Sequence, residues 1–171
     1  MGLNVIRTDS VRELQMKNAG ITPPKDWNDA EQVQAAKLLE LSAACNAAIT
    51  NGCDVALSDG DVGHISLTAE DQINLTNAAA AVESGAEVYP YHLDGELCAL
   101  YPAADIMVMA RAATAHKLYH TTYYNHLAAW VRQCEAVEEV QAITYGAELP
   151  KDLTENMAVI LAAAGGNADA V

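Results

Sequence analysis

The sequence has no phenylalanine, only two tryptophans and seven tyrosines. Aromatic rings therefore cannot dominate its core, and alanine and the aliphatic residues must do most of the packing. Positive charge is equally scarce. Nine Lys and Arg stand against 23 Asp and Glu, a formal net charge of −14. A nucleic-acid binder needs cations to neutralise phosphates, and an anionic membrane surface makes the same demand; neither is expected as a partner. The four cysteines, Cys45, Cys53, Cys98 and Cys134, form no C-x-x-C pair, so no zinc knuckle or thioredoxin motif is expected. Cys45 falls on an apolar helix stripe and Cys98 in a hairpin strand, and both read as buried free thiols of a reducing compartment. No apolar run reaches the roughly 18 residues of a membrane span; the nearest, Ile106 to Ala115, is interrupted by Arg111. Met1-Gly-Leu-Asn-Val-Ile-Arg7 lacks the apolar segment of a signal peptide, so the expectation is a soluble, leaderless chain. Phosphate-binding glycine loops, a nucleophile elbow and a complete calcium loop around Asp59-Gly-Asp61 are all missing.

What is present is a pattern written twice. Cys53-Asp-Val-Ala-Leu57 runs into Ser58-Asp-Gly-Asp61, Gly63-His-Ile-Ser-Leu67 and Thr68-Ala-Glu-Asp71. Some 33–35 positions on, Glu87-Val-Tyr-Pro-Tyr91 runs into Leu93-Asp-Gly-Glu96, Leu97-Cys-Ala-Leu100 and Tyr101-Pro-Ala-Ala-Asp105. Each copy predicts strand, Asp-Gly turn, strand, helix. Hydrophobic residues make up 51% of the chain, enough for a core. The fold class is therefore α+β: an N-terminal helix, two β-hairpin–helix units, and C-terminal helices. The two hairpins are expected to pair into one small antiparallel sheet packed on a long helix.

Around these units the pattern is helical. Val11 to Lys17 predicts a short helical turn, and Pro23-Pro24 a stiff linker. Asn28, with Glu31 three residues on, predicts the N-cap of a helix over 29–50 that stops at Asn51-Gly52. Leu38, Leu41, Cys45 and Ile49 form one stripe along it. This stripe packs within its own domain or forms a short coiled-coil seam between subunits, and two heptads do not decide. Thr68 and Asp71 predict a capping box for the next helix, which runs to Ser84-Gly85. Pro102 predicts the first position of a long helix reaching Cys134 without a Gly or Pro. Shorter helices follow over 138–143 and 153–164. The domain reading is 1–52 as linker and helix, with oligomerisation open, 53–146 as the repeated unit, and 147–171 as a final helix and frayed tail.

The chemistry-bearing residues gather on the long helix, in Ala115-His-Lys-Leu-Tyr-His-Thr-Thr-Tyr-Tyr-Asn-His126. His116 and His120, four apart, project from one side as two metal ligands would. The zinc-protease pattern needs Glu after the first His, and Lys117 stands there. His92 or His126 supplies a third ligand only if folding brings it close, so no metal or cofactor is assigned. On a helical wheel, Met109, Ala112, His116, Tyr119, Tyr123, Leu127, Trp130 and Cys134 share one face, with His120 at its edge. Core, subunit interface and small-ligand pocket are all open for this face. The expected interaction residues are Tyr119, Tyr123, Trp130, His116, His120, Leu38, Leu41 and Ile49.

The stretch from about Ile65 to Ile143 resembles a small domain of bacteriophage and prophage tail proteins, tail-fibre or tail-assembly. The resemblance rests on Leu93-Asp-Gly-Glu96, Leu100-Tyr-Pro-Ala-Ala-Asp-Ile106, the alanine-rich helix through Arg132, and Cys134-Glu-Ala-Val-Glu-Glu-Val-Gln-Ala-Ile143. It covers about half the chain, and Pro102 and the His/Tyr run depart from it. It implies a non-enzymatic structural or assembly component of a tail, a homo-oligomer that binds other tail proteins. Such a protein would occupy the host bacterial cytoplasm during assembly and then the phage particle. Two rival readings stand beside it. One is a small acidic phage-encoded inhibitor of host defence, acting as a mimic or small-ligand binder. The other is a metal-dependent enzyme built on His116 and His120.

Overall fold

The computed structural model describes residues 8–165, with side chains from Val11 onward. The N-terminal heptapeptide and the expected tail beyond Gly165 lie outside the described residues. Within that range the chain is mixed α+β. Its elements are α1 (Thr8–Asn18), α2 (Ala30–Asn51), β1 (Cys53–Ala56), β2 (Val62–Ile65), α3 (Ala69–Glu83), β3 (Val88–Tyr91), β4 (Ala99–Pro102), α4 (Ala103–Gln133), α5 (Val137–Ala142) and α6 (Lys151–Ala163). They group into two compact units. One takes the chain up to Cys45 together with Tyr123–Asn156; the other takes Asn46–Thr122 together with the stretch from Met157. Helices α2, α4 and α6 each give residues to both.

In the first unit, α2 starts on Asp29 rather than on the expected Asn28. The Asp29 carboxylate accepts from the amides of Glu31 (3.0 Å) and Gln32 (3.2 Å) and from the Gln32 side chain (2.7 Å). Asp wins because its oxygens reach two of the four amides a helix start leaves open. These bonds, first among them that from the Gln32 side chain, hold the Asp29 pKa below its ordinary value. Asn28 instead turns back to Asp26, whose Oδ1 accepts from its amide at 2.9 Å. Met16, Ile21 and Ala36 form a small core under Trp27, and the Arg12 guanidinium lies 5.3 Å above the Trp27 ring.

The second unit carries the repeat. β1 pairs antiparallel with β2, and β3 with β4, but the result is two separate two-stranded sheets rather than the four-stranded sheet expected. The hairpins meet through side chains and loops: a Cβ at Gly63 would lie 2.3 Å from a Leu93 methyl, and the Asp94 amide donates to the His64 carbonyl at 2.9 Å. Two isolated hairpins would be marginal. Here they share one core, in which Val55, Ile65 and Leu67 pack with Tyr91, Leu93 and Tyr101 against Leu75 of α3 and Ile106 and Met109 of α4. Gly60 and Gly95 take positive φ in the turns, as the Asp-Gly pairs required.

Helix α3 has the expected capping box, with the Thr68 hydroxyl accepting from the Asp71 amide and Asp71 reaching back to the Thr68 amide. Pro102 does not open α4; it closes β4, paired with Val88, and the helix begins at Ala103. The Ala103 amide still donates to the Glu87 carbonyl at 2.8 Å, so the ladder continues one step past the strand. Helix α4 then runs 31 residues, about 46 Å at 1.5 Å per residue. Cys98 is a second correction: it is exposed, in the loop before β4, while Cys45 and Cys134 are buried and Cys53 half-buried, all four as free thiols.

Candidate functional site

The His/Tyr run on α4 was the most chemically loaded segment of the sequence, and the structure commits much of it to internal contacts. In the second unit, His116 Nε2 lies 2.9 Å from the Ala48 carbonyl of α2, so that nitrogen carries the proton and donates. His120 is buried and stands edge-on to His116, ring centroids 4.4 Å apart, and to Tyr119 at 5.3 Å. Burial first, and the neighbouring His116 second, hold His120 below the ordinary histidine value. A neutral ring is what a packed helix face favours. In the first unit, the Tyr123 hydroxyl donates to the Ala147 carbonyl at 2.5 Å and accepts from the Gly146 amide at 3.1 Å. Its ring meets Tyr145 edge-on at 5.3 Å. His126 pairs with the Asn156 side chain at 2.9 Å, and Trp130 is half-buried. Of the α2 stripe, Leu41, Cys45 and Ile49 are buried and Leu38 half-buried. The expected interaction residues thus split between the two units.

Among the described residues no group of three or more His, Cys, Asp and Glu side chains is placed to hold a metal ion. The second unit does carry an open groove of about 880 Å³ between α3 and α4, lined mainly by small residues such as Ala79, Ala110 and Thr114. At its side the Lys117 ammonium donates to the side-chain amide oxygen of Gln72 at 2.6 Å.

Four polar joints were not foreseen. The buried Asp105, in the first turn of α4, accepts from the Ser58 amide (2.9 Å) and hydroxyl (3.0 Å). Asp94, in the turn of the second hairpin, grips Ser66 in the same two-pronged way, amide to Oδ1 at 3.1 Å and hydroxyl to Oδ2. The two clamps tie the second hairpin–helix unit to the first. The Ser66 hydroxyl, then desolvation opposed by the Ser66 amide and nearby histidines, leaves Asp94 with a net lowered pKa. The third joint is His64, whose Nδ1 lies 2.6 Å from the Asp54 carboxylate and whose Nε2 lies 2.6 Å from the Asn51 carbonyl. Asp54 first and Asn51 second push its pKa up. In the first unit a fourth joint centres on Glu40, reached by Arg12 at 3.3 Å and by the buried Lys37 at 3.0 Å. For the Asp94 clamp the only signal was the Asp-Gly turn itself, which advertises a turn and conceals a second use of the carboxylate; Asp105 lies in no such pair.

Residues 32–147 match the family described as Domain of unknown function (DUF4376). The match spans more than half of the chain, from the first turn of α2 to the segment held by Tyr123, and the chain belongs to that family. No curated protein and no solved structure matches the chain. Among the described residues no helix is long and apolar enough to cross a membrane.

Proposed function

We propose that the protein is a non-enzymatic structural or assembly component of a phage or prophage tail, one that self-associates and joins other tail proteins. One observation carries the docking part of this reading. Large apolar side chains remain exposed on an otherwise well-packed chain, and several of them, Val88, Leu97 and Leu100, fall on one hairpin. Exposed apolar side chains gathered on one hairpin point to a surface that another molecule covers. The engagement of His116, Tyr123 and His126 inside the fold supports the non-catalytic part, since those side chains brace helices. The tail assignment itself rests on the sequence resemblance.

Two measurements test the reading. Sedimentation of the purified protein should give a mass above that of one chain, and mass spectrometry of particles from the encoding element should find the protein among the tail components. A lone monomer that is absent from particles would refute the proposal. The Tyr123→Ala, Trp130→Ala double variant should lower the melting temperature or the sedimenting mass, and no change in either would remove these residues from the structural role.

A further inference from the structure

The two hairpins are related in sequence but not in what they show to solvent. In β1–β2 the register pairs Asp54 with His64 and Ala56 with Val62 on the outer face, and Asp54 and His64 form an ion pair there. In β3–β4 the corresponding outer row pairs Val88 with Pro102 and Pro90 with Leu100. None of these four side chains has a polar atom, and all four are exposed. Leu100 is 69% exposed and Val88 50%, and Leu97, in the loop that leads into β4, is 90% exposed. An antiparallel sheet with one solvated face normally turns polar residues outward; β1–β2 keeps to that rule at Asp54 and His64 though not at Val62, which is 69% exposed, while β3–β4 has no polar side chain in its outer row.

The way a partner would seat is also constrained. Ala103 donates to Glu87 across the ladder, which places the bonded pairs at Glu87, Tyr89 and Tyr91. The amides of residues 88 and 90 on one strand, and 100 and 102 on the other, then point to the free edges. Pro90 and Pro102 have no amide hydrogen to offer, so each edge loses half its donors and strand addition is poorly supported. The apolar face, not the edge, is left as the contact.

Charge selects the occupant. Between Lys37 and Arg111 the sequence contains no Lys or Arg, while 11 Asp and Glu fall in residues 38–110. Glu87 adjoins Val88 and Glu96 adjoins Leu97; burial first, then Glu96 and more weakly Asp59, raise the pKa of Tyr101 under the same sheet. Two copies of this face brought together would oppose two acidic rims without a compensating cation, which costs affinity. A partner that sets leucine-like side chains on the face and Lys or Arg on the rim satisfies both features.

We propose that the outer face of the β3–β4 hairpin docks a basic, amphipathic segment of a different protein, with its apolar side on Val88 and Leu100 of that face and on Leu97 of the adjoining loop, and its cations on the acidic rim. The inference rests on the assembly reading and names the chemistry of one partner. The test uses the full chain and a labelled amphipathic Leu/Lys helical peptide, with a Leu/Glu peptide and a Ser/Lys peptide as controls, followed by fluorescence anisotropy. The Leu/Lys peptide should bind, and raising the salt should weaken it. The Leu97→Ser, Leu100→Ser variant should lose about tenfold or more in affinity, with an unchanged melting curve. Ile73→Ser, an exposed apolar residue on α3, should bind as the parent does. Equal binding of the Leu/Lys and Ser/Lys peptides, or of the parent and the double serine variant, overturns the proposal. So does a fall in sedimenting mass of the double serine variant, which would assign the face to a second copy. Should the serine variant fail to fold, Glu87→Gln, Glu96→Gln replaces it, with an unchanged affinity again overturning the proposal. Failure of the peptide arm leaves the particle test untouched, so the two readings fall separately.

Discussion

At the scale of single residues, Asp105 and His64 show how a side chain's neighbours fix its role. Asp105 is buried and accepts from both the Ser58 amide and hydroxyl. Asp105→Ala removes both bonds and leaves the Ser58 groups to find water, at a cost of about 1–3 kcal/mol. Asp105→Asn keeps an oxygen for the amide and can donate to the hydroxyl, so it should cost less; urea unfolding of the two variants checks the order. His64 faces acceptors from both ring nitrogens, and only the imidazolium can donate to both. It also sits at the C-terminal end of α2, where a cation is favoured. Its folded pKa is raised, so its contribution is fully present below the unfolded value of about 6.5 and is lost as pH rises through the folded value. The melting-temperature gap between the parent and His64→Ala should therefore be widest in mild acid and narrow above neutrality. A gap that widens with pH would reverse the assignment. Neither joint was legible in the sequence, because each pairs residues 10 to 47 positions apart that periodicity does not connect.

At the scale of elements, the sequence was more readable. The capping box of α3, the full length of α4 and the four strands follow from local rules, namely side-chain caps, uninterrupted helix formers, and Asp-Gly turns between β-rich runs. The failures are also physical. Asp29 displaced Asn28 as cap because two amides and a glutamine side chain converge on it. Pro102 ended a strand instead of starting a helix because the ladder runs on to Ala103. The single four-stranded sheet did not form because the hairpins meet through Leu93, Asp94 and Gly63 rather than along their edges. Gly52, the stop of α2, shows how tightly one junction is built. Its φ is +81°, and a Cβ there would lie 1.8 Å from the Ile65 carbonyl oxygen. Gly52→Ala should be severely destabilising, by several kcal/mol, because backbone strain and a backbone clash add. Thermal unfolding checks this, with Gly60→Ala, strained but unobstructed, as the milder comparison.

At the scale of the whole chain, the duplicated pattern and the helix formers around it foretold an α+β protein but not which surfaces stay uncovered. The His/Tyr face and the Leu38–Ile49 stripe looked like contact surfaces because aromatic and aliphatic residues recur at helical spacing. That spacing is equally a signature of burial, and much of both patterns is buried. The β3–β4 face escaped notice because four residues on two strands become neighbours only through register. The family match covers residues 32–147 and so includes both hairpins and all of α4.

The division of the chain has a practical corollary. Neither unit is one continuous length of polypeptide, since each is assembled from two stretches and the divisions fall inside α2, α4 and α6. No single cut in the gene can release one unit intact. Trimming to the matched residues 32–147 would strip Met16, Ile21 and Trp27 from Ala36, and remove Met157 and Leu161, both buried. A shortened version that misbehaves would therefore report on lost packing before it reported on biology.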